Sequence, residues 1–166
     1  MFTTVAILGA SSRMGEAWAT GLVSSACSLR LYDQQEAGAQ LLAWKLKQLT
    51  PLADVEALSC SATASWEADL VILAMPLAAQ ADAARRIAAF VTQKTVCSVV
   101  DQASGSAATA MAVLAELQCL LPHSTIRLLP GTPAHAGSEP LPAQDAAWLL
   151  EQLRHAETPP TPERTS

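Results

Sequence analysis

Apolar residues in this chain follow two alternating rhythms. Short, continuous β-favouring runs are separated by longer segments in which apolar positions recur every three or four residues. The first run, Thr4 to Leu8, predicts a strand and ends in Gly9-Ala10-Ser11-Ser12-Arg13-Met14-Gly15. Glu16 to Ser25 predicts a helix, with Ala17, Leu22 and Val23 among its apolar positions. Ser28 to Tyr32 predicts a second strand closed by Asp33, and Glu36 to Leu49 a second helix that Pro51 stops. Val55 to Cys60 predicts a weaker third strand, and Leu70 to Met75, ending at Pro76, the strongest one. Ala78 to Val91 then predicts a helix, Thr95 to Val100 a strand closed by Asp101, and Ala107 to Leu121 a helix ended by Pro122. Ser124 to Leu129 predicts a sixth strand and Gln144 to His155 a last amphipathic helix carrying Trp148, Leu149, Leu150 and Leu153.

Strands that are apolar throughout, set between helices, predict a parallel sheet covered on both faces. Right-handed crossovers make that sheet doubly wound, an α/β fold of three layers, α/β/α. Residues 1–155 are expected to form one domain. Residues 156–166 hold Pro159, Pro160 and Pro162 and no large apolar residue, so they are expected to be a disordered tail.

Composition narrows the function classes. The chain has 166 residues, a length for one domain of roughly 100–200 residues. With 51% hydrophobic and 15% charged residues it is too apolar for bulk disorder. No stretch approaches the ~18 uninterrupted apolar residues of a membrane span, so no membrane partner is expected. The net charge of −5 repels phosphate backbones, so nucleic acid is not expected either. Cys27, Cys60, Cys97 and Cys119 form no C-x-x-C pair and no zinc spacing, so no metal site is expected. They read as buried, reduced thiols of a cytoplasmic protein, and the N-terminus shows no basic secretory signal region. Trp18, Trp44, Trp66 and Trp148 read as packing anchors.

The first strand-to-helix turn carries candidate chemistry. A dinucleotide site needs a sharp turn there, so that helix N–H groups aim at the pyrophosphate. The G-x-G-x-x-G frame falls on Ala10, Ser12 and Gly15, keeping only the third glycine. Gly9 can supply the turn, and the Ser12 hydroxyl is a candidate phosphate donor. Asp33 closes the second strand 18 residues after Gly15. A carboxylate there accepts from the ribose hydroxyls and repels a 2′-phosphate, which favours NAD. Arg13 is the one loop feature that would admit NADP instead. The cofactor-binding set is therefore Gly9, Ala10, Ser11, Ser12, Arg13, Met14, Gly15 and Asp33. The bland alternative is a tight turn in a ligand-free α/β domain.

Three later segments carry a resemblance. Ala68 to Pro76 resembles a strand ending in an A-x-P turn. Val99-Val100-Asp101-Gln102-Ala103-Ser104 is similar to a strand ending in D-x-G-S. Ala136-Gly137-Ser138-Glu139 is similar to the end of an H-P-x-A-G-[ST]-E segment. In this order the set resembles the nucleotide-binding domain of prephenate dehydrogenases, within the 6-phosphogluconate-dehydrogenase-like Rossmann group. The resemblance implies a Rossmann-like fold and an NAD(P)-dependent oxidoreductase that oxidatively decarboxylates a small-molecule substrate, a cyclohexadienyl acid. It implies that Met75, Pro76 and Asp101 line the cofactor. It also implies that Ser104 bonds near the nicotinamide and substrate hydroxyl, and that a histidine polarises that hydroxyl or takes its proton. Counting back from Gly137, the family histidine falls on Pro133, and His135 lies two positions later as the candidate.

The resemblance has departures. Ala103 replaces the glycine before the serine, and Ser106 stands where a lysine is common. The family adds a helical substrate and dimerisation domain, which is not expected within these 166 residues. A homodimer or hetero-complex through Gln144 to His155, or the loop before it, is therefore expected. Simpler roles remain open: Ser104 or Ser106 as a helix cap, His135 as a solvated loop residue, Asp101 as an acceptor for loop N–H groups. A non-catalytic nucleotide-binding, regulatory or assembly module is the alternative function.

Overall fold

The computed structural model describes residues 3–24, 27–100 and 106–130. Six strands alternate with helices: β1 (Thr3–Leu8), α1 (Arg13–Val23), β2 (Cys27–Tyr32), α2 (Glu36–Leu49), β3 (Val55–Ala57), α3 (Ser61–Glu67), β4 (Leu70–Leu73), α4 (Leu77–Ile87), β5 (Thr95–Val100), α5 (Ala107–Leu120) and β6 (Thr125–Pro130). All pairings are parallel, in the order β3-β2-β1-β4-β5-β6. The chain winds outward from β1 to β3, then returns to the other side of β1 for β4. The order therefore reverses between β1 and β4, the switch point at which sheets of this class leave a crevice at the carboxyl ends of the strands. This is the doubly wound Rossmann-like sheet that the alternating pattern predicts.

Side chains alternate across the sheet and build a core on each face. Val5 and Ile7 of β1 join Leu29, Leu31 and Ile72 under α1 and α2, which contribute Trp18, Leu22, Leu42 and Leu46. Ala6 and Leu8 join Val71, Leu73 and Val96 under the opposite layer, with Ala64 of α3, Ala84 and Ile87 of α4, and Leu117 of α5. All four side chains of β4 are buried, which is why its sequence is apolar without alternation. At the β2–β3 edge, Arg30 reaches Glu67 at 2.8 Å and Asp54 at 3.3 Å, tying α3 and the short edge strand together.

Several sequence expectations need correction. The third strand stops at Ala57, not Cys60. A short helix, α3, follows that the pattern does not reveal. The fourth helix ends at Ile87 and passes into a 3-10 turn, Ala88–Phe90. Trp18 is an anchor, but Trp44 and Trp66 are 60% and 68% exposed. Cys60 and Cys119 are exposed rather than buried. The Gln144–His155 helix and the 156–166 tail lie outside the described residues. Among the described residues, no helix is long and apolar enough to cross a membrane.

The cysteines differ in reactivity as a result. Burial pushes the Cys97 thiol up to about 12. Cys60, just before α3, is held below the ordinary thiol value by the Thr63 backbone N–H, then by the Thr63 side chain and the Ala62 backbone. Native protein is therefore expected to react with a thiol reagent at Cys60 and Cys119, and at Cys97 only after denaturation. Mass mapping of the labelled peptides checks this; early labelling of Cys97 would contradict the packing.

Candidate functional site

The site is built on the turn between β1 and α1. Gly9 leaves the strand with φ of +80°, a backbone region that side chains disfavour. Space requires glycine as well, since a Cβ would lie 2.9 Å from the Met75 backbone nitrogen. The N–H groups of Gly9 and Ala10 both donate to the Tyr32 carbonyl, at 2.9 and 3.0 Å, so the turn stays fastened to β2.

Ser12 caps α1. Its hydroxyl accepts from the Gly15 N–H at 3.0 Å, and its proton faces two carbonyls, Gly9 at 2.7 Å and Ala74 at 2.9 Å. That single proton is therefore turned into the protein, and the hydroxyl is not the outward donor the sequence suggests. Gly15 closes the turn. A Cβ there would overlap the Gly9 carbonyl oxygen and stand 2.8 Å from the Ala10 Cα. The third glycine of the fingerprint thus brings the helix into contact with the turn that follows β1.

This arrangement leaves donors for a ligand. The N–H groups of Arg13 and Met14 open α1 and have no acceptor among the described residues. Two such donors at the positive end of a helix dipole have the geometry that can receive an anion. Arg13 and Ser11 are exposed beside them, while Met14 packs partly on the core. Asp33 stands at the adjacent end of β2. Its Oδ2 accepts from the Ser11 N–H at 3.0 Å and its Oδ1 from the Gln35 N–H at 2.9 Å. The carboxylate thereby holds the loop, and each oxygen keeps a lone pair for a further donor.

The opposite wall comes from the end of β4. Ala74 N–H donates to the Leu8 carbonyl at 2.9 Å, which carries Met75 and Pro76 to the crevice beside Gly9. Met75 is half-buried and exposed Pro76 precedes α4. Ala10, Ser11, Arg13, Met14, Asp33, Met75 and Pro76 are thus brought together around the turn. Asp101, Ser104 and His135 lie outside the described residues. Of the candidate caps, Ser106 is seen to cap α5, accepting from the Thr109 N–H at 3.3 Å. Two residues were missed in the sequence. Gly38 of α2 admits Ser11, whose Cβ would be 2.7 Å from a Cβ at position 38. Gln80 is buried behind the Met75 turn. Neither lies in a motif, so only the three-dimensional packing exposes them.

No protein-family model matches the chain, and no curated protein sequence does. Solved structures do match. Prephenate dehydrogenase from A. aeolicus, in complex with hydroxyphenyl propionate and NAD+, is similar with a TM-score of 0.56 and 19% identity, over 87% of this chain and 46% of that one. Malate dehydrogenase from Cryptosporidium parvum gives 0.60 and 16% identity over 74% of this chain and 43% of that one. The bulky-bulky ketone specific alcohol dehydrogenase from Comamonas testosteroni gives 0.59 and 18% identity over 98% and 89%. The chain thus spans less than half of the first two proteins. At these identities the likeness establishes the fold alone, a Rossmann-type α/β sheet.

Proposed function

We propose that this chain is the nicotinamide-dinucleotide-binding domain of an oxidoreductase, with NAD preferred over NADP. The carrying observation is the pair of N–H groups of Arg13 and Met14 that have no acceptor among the described residues, set at the switch point of the sheet beside the Asp33 carboxylate. The Gly9–Gly15 turn would hold the pyrophosphate, Asp33 the adenine ribose hydroxyls, and Met75 and Pro76 the wall beside the nicotinamide. NAD supplies a hydride acceptor; the residues of this chain bind and orient it. The finer reading takes a cyclohexadienyl acid as substrate, with Ser104 bonding its hydroxyl and His135 receiving the proton. That reading is supported by the ordered sequence motifs and by a prephenate dehydrogenase among the structural neighbours.

Calorimetric titration with NAD and NADP tests the coarser reading. Binding of NAD at millimolar concentration or below supports it, and absence of heat with either dinucleotide overturns it. Asp33→Asn is expected to weaken NAD about tenfold, because a charged acceptor is worth ~1.5–3 kcal/mol, and to narrow the preference against NADP. An equal loss for both dinucleotides would remove Asp33 from the ribose site. Absorbance at 340 nm with prephenate or arogenate then tests the substrate. One observation favours the non-catalytic alternative: Ser12 stands where the fingerprint has its middle glycine, and its hydroxyl is spent inside the turn. NAD binding without turnover in the complete assembly would select that alternative.

A further inference from the structure

Gln80 sits one turn into α4 and is wholly buried, an unusual place for a primary amide. Its Nε2 donates to the Met75 carbonyl at 3.1 Å and to the Val99 carbonyl at 3.1 Å, with the Leu73 carbonyl at 3.4 Å. Its Oε1 accepts from the Ser98 hydroxyl, itself fully buried. The register between β4 and β5 ends at Leu73 and Ser98. One side chain therefore satisfies the carbonyls left around the point where the two strands stop pairing, at the carboxyl end of the sheet.

The contacts continue to the turn at α1. The Met75 backbone packs on Gly9, where a Cβ would lie 2.9 Å from the Met75 nitrogen. The neighbouring Ala74 carbonyl faces the Ser12 hydroxyl at 2.9 Å. A connected path thus runs from Gln80 through the Ala74–Met75 backbone to Gly9 and to Ser12, the cap of α1. If the Met75 carbonyl lost its donor, both walls of the crevice would lose their common reference.

We propose that Gln80 is a positioning residue of the dinucleotide site. It sets the 74–76 turn against the 9–12 turn and fixes the width of the crevice without touching the ligand. The assignment rests on the dinucleotide reading above. Glutamate at this position offers a test with a built-in switch. Ionised, its outer oxygen faces the Met75 and Val99 carbonyls and repels them. Protonated, it donates a hydrogen bond to one of them, as the amide does. Burial and those carbonyls both favour the protonated form. The polar groups bonded to the Gln80 side chain are backbone carbonyls and the Ser98 hydroxyl, none of which titrates between about pH 5.5 and 8.

The experiment is calorimetric titration of NAD into the full chain at about pH 8 and about pH 5.5, with circular dichroism recording the fold at each pH. The unsubstituted chain is expected to bind equally at both. Gln80→Glu is expected to bind about tenfold more weakly at the higher pH and to recover at the lower. The double substitution Gln80→Met with Ser98→Ala removes amide and hydroxyl together. It is expected to bind about tenfold more weakly at both pH values, and it carries the test if Gln80→Glu unfolds when ionised. Unchanged affinity of the folded double variant overturns the positioning role alone. No binding by the unsubstituted chain overturns the dinucleotide reading, and the positioning role falls with it.

Discussion

Gly15→Ala is expected to destabilise the protein by about 2–4 kcal/mol and to abolish dinucleotide binding. Gly15 is the third residue of α1, where alanine ordinarily helps a helix by up to ~1 kcal/mol. Here the added methyl has no room. It would overlap the Gly9 carbonyl oxygen and stand 2.8 Å from both the Cα and the carbonyl oxygen of Ala10. All three atoms are backbone, so no rotamer change relieves the contact and α1 must move off the turn. That movement breaks the Ser12 cap, whose hydroxyl joins Gly15 N–H to the Gly9 carbonyl. The steric cost therefore outweighs the propensity gain. At ~2–4 °C per kcal/mol for a chain of this size, the melting temperature should fall by roughly 4–16 °C. A melting temperature equal to that of the unsubstituted chain would show that α1 and the Gly9–Ala10 turn are not in contact here.

Gly9→Ala is expected to cost about 2–3 kcal/mol, from two sources. A side chain in the left-handed region costs ~1–2 kcal/mol. The added Cβ also lies 2.9 Å from the Met75 nitrogen and 3.2 Å from the Ala74 carbonyl carbon, and these contacts supply the rest. Gly9→Asn separates the two. Asparagine tolerates the left-handed backbone but carries the same Cβ. It should be nearly as destabilising as alanine in urea unfolding if the contact with the 74–76 turn dominates. Full recovery of stability with asparagine would mean that backbone conformation alone requires glycine.

The fold was legible because its signal is redundant. β1, β4 and β5 lie inside the sheet and are built mainly from apolar and β-favouring residues, so their sequences read as runs whatever the register. The turn residues Gly9 and Gly15 were legible for a different reason: each occupies a backbone position where a side chain does not fit. α3 was not legible. Its buried residues are Ala64 and Ser65, and its one large side chain, Trp66, faces outward, so it has no apolar stripe. Cys60 followed from the same gap, since the chain leaves the sheet after Ala57 and turns into α3 there. α1 begins at Arg13 rather than Glu16 because Ser12 caps it and the helix runs through Gly15, which the sequence pattern assigns to the loop. Gln80 was hidden by its polarity. A helical pattern places glutamine in solvent, and only the carbonyls left at the end of β4 explain its burial.

In the function proposed above, the β1–α1 turn receives a dinucleotide pyrophosphate. Amide chemical shifts of the isotopically labelled full chain, followed during addition of NAD to about 2 mM, test it most directly. Saturable shifts led by the N–H groups of Arg13 and Met14, with smaller changes at Ser11 and Asp33, are expected. Spectra that stay unchanged, or saturable shifts confined to residues remote from the turn, would contradict it.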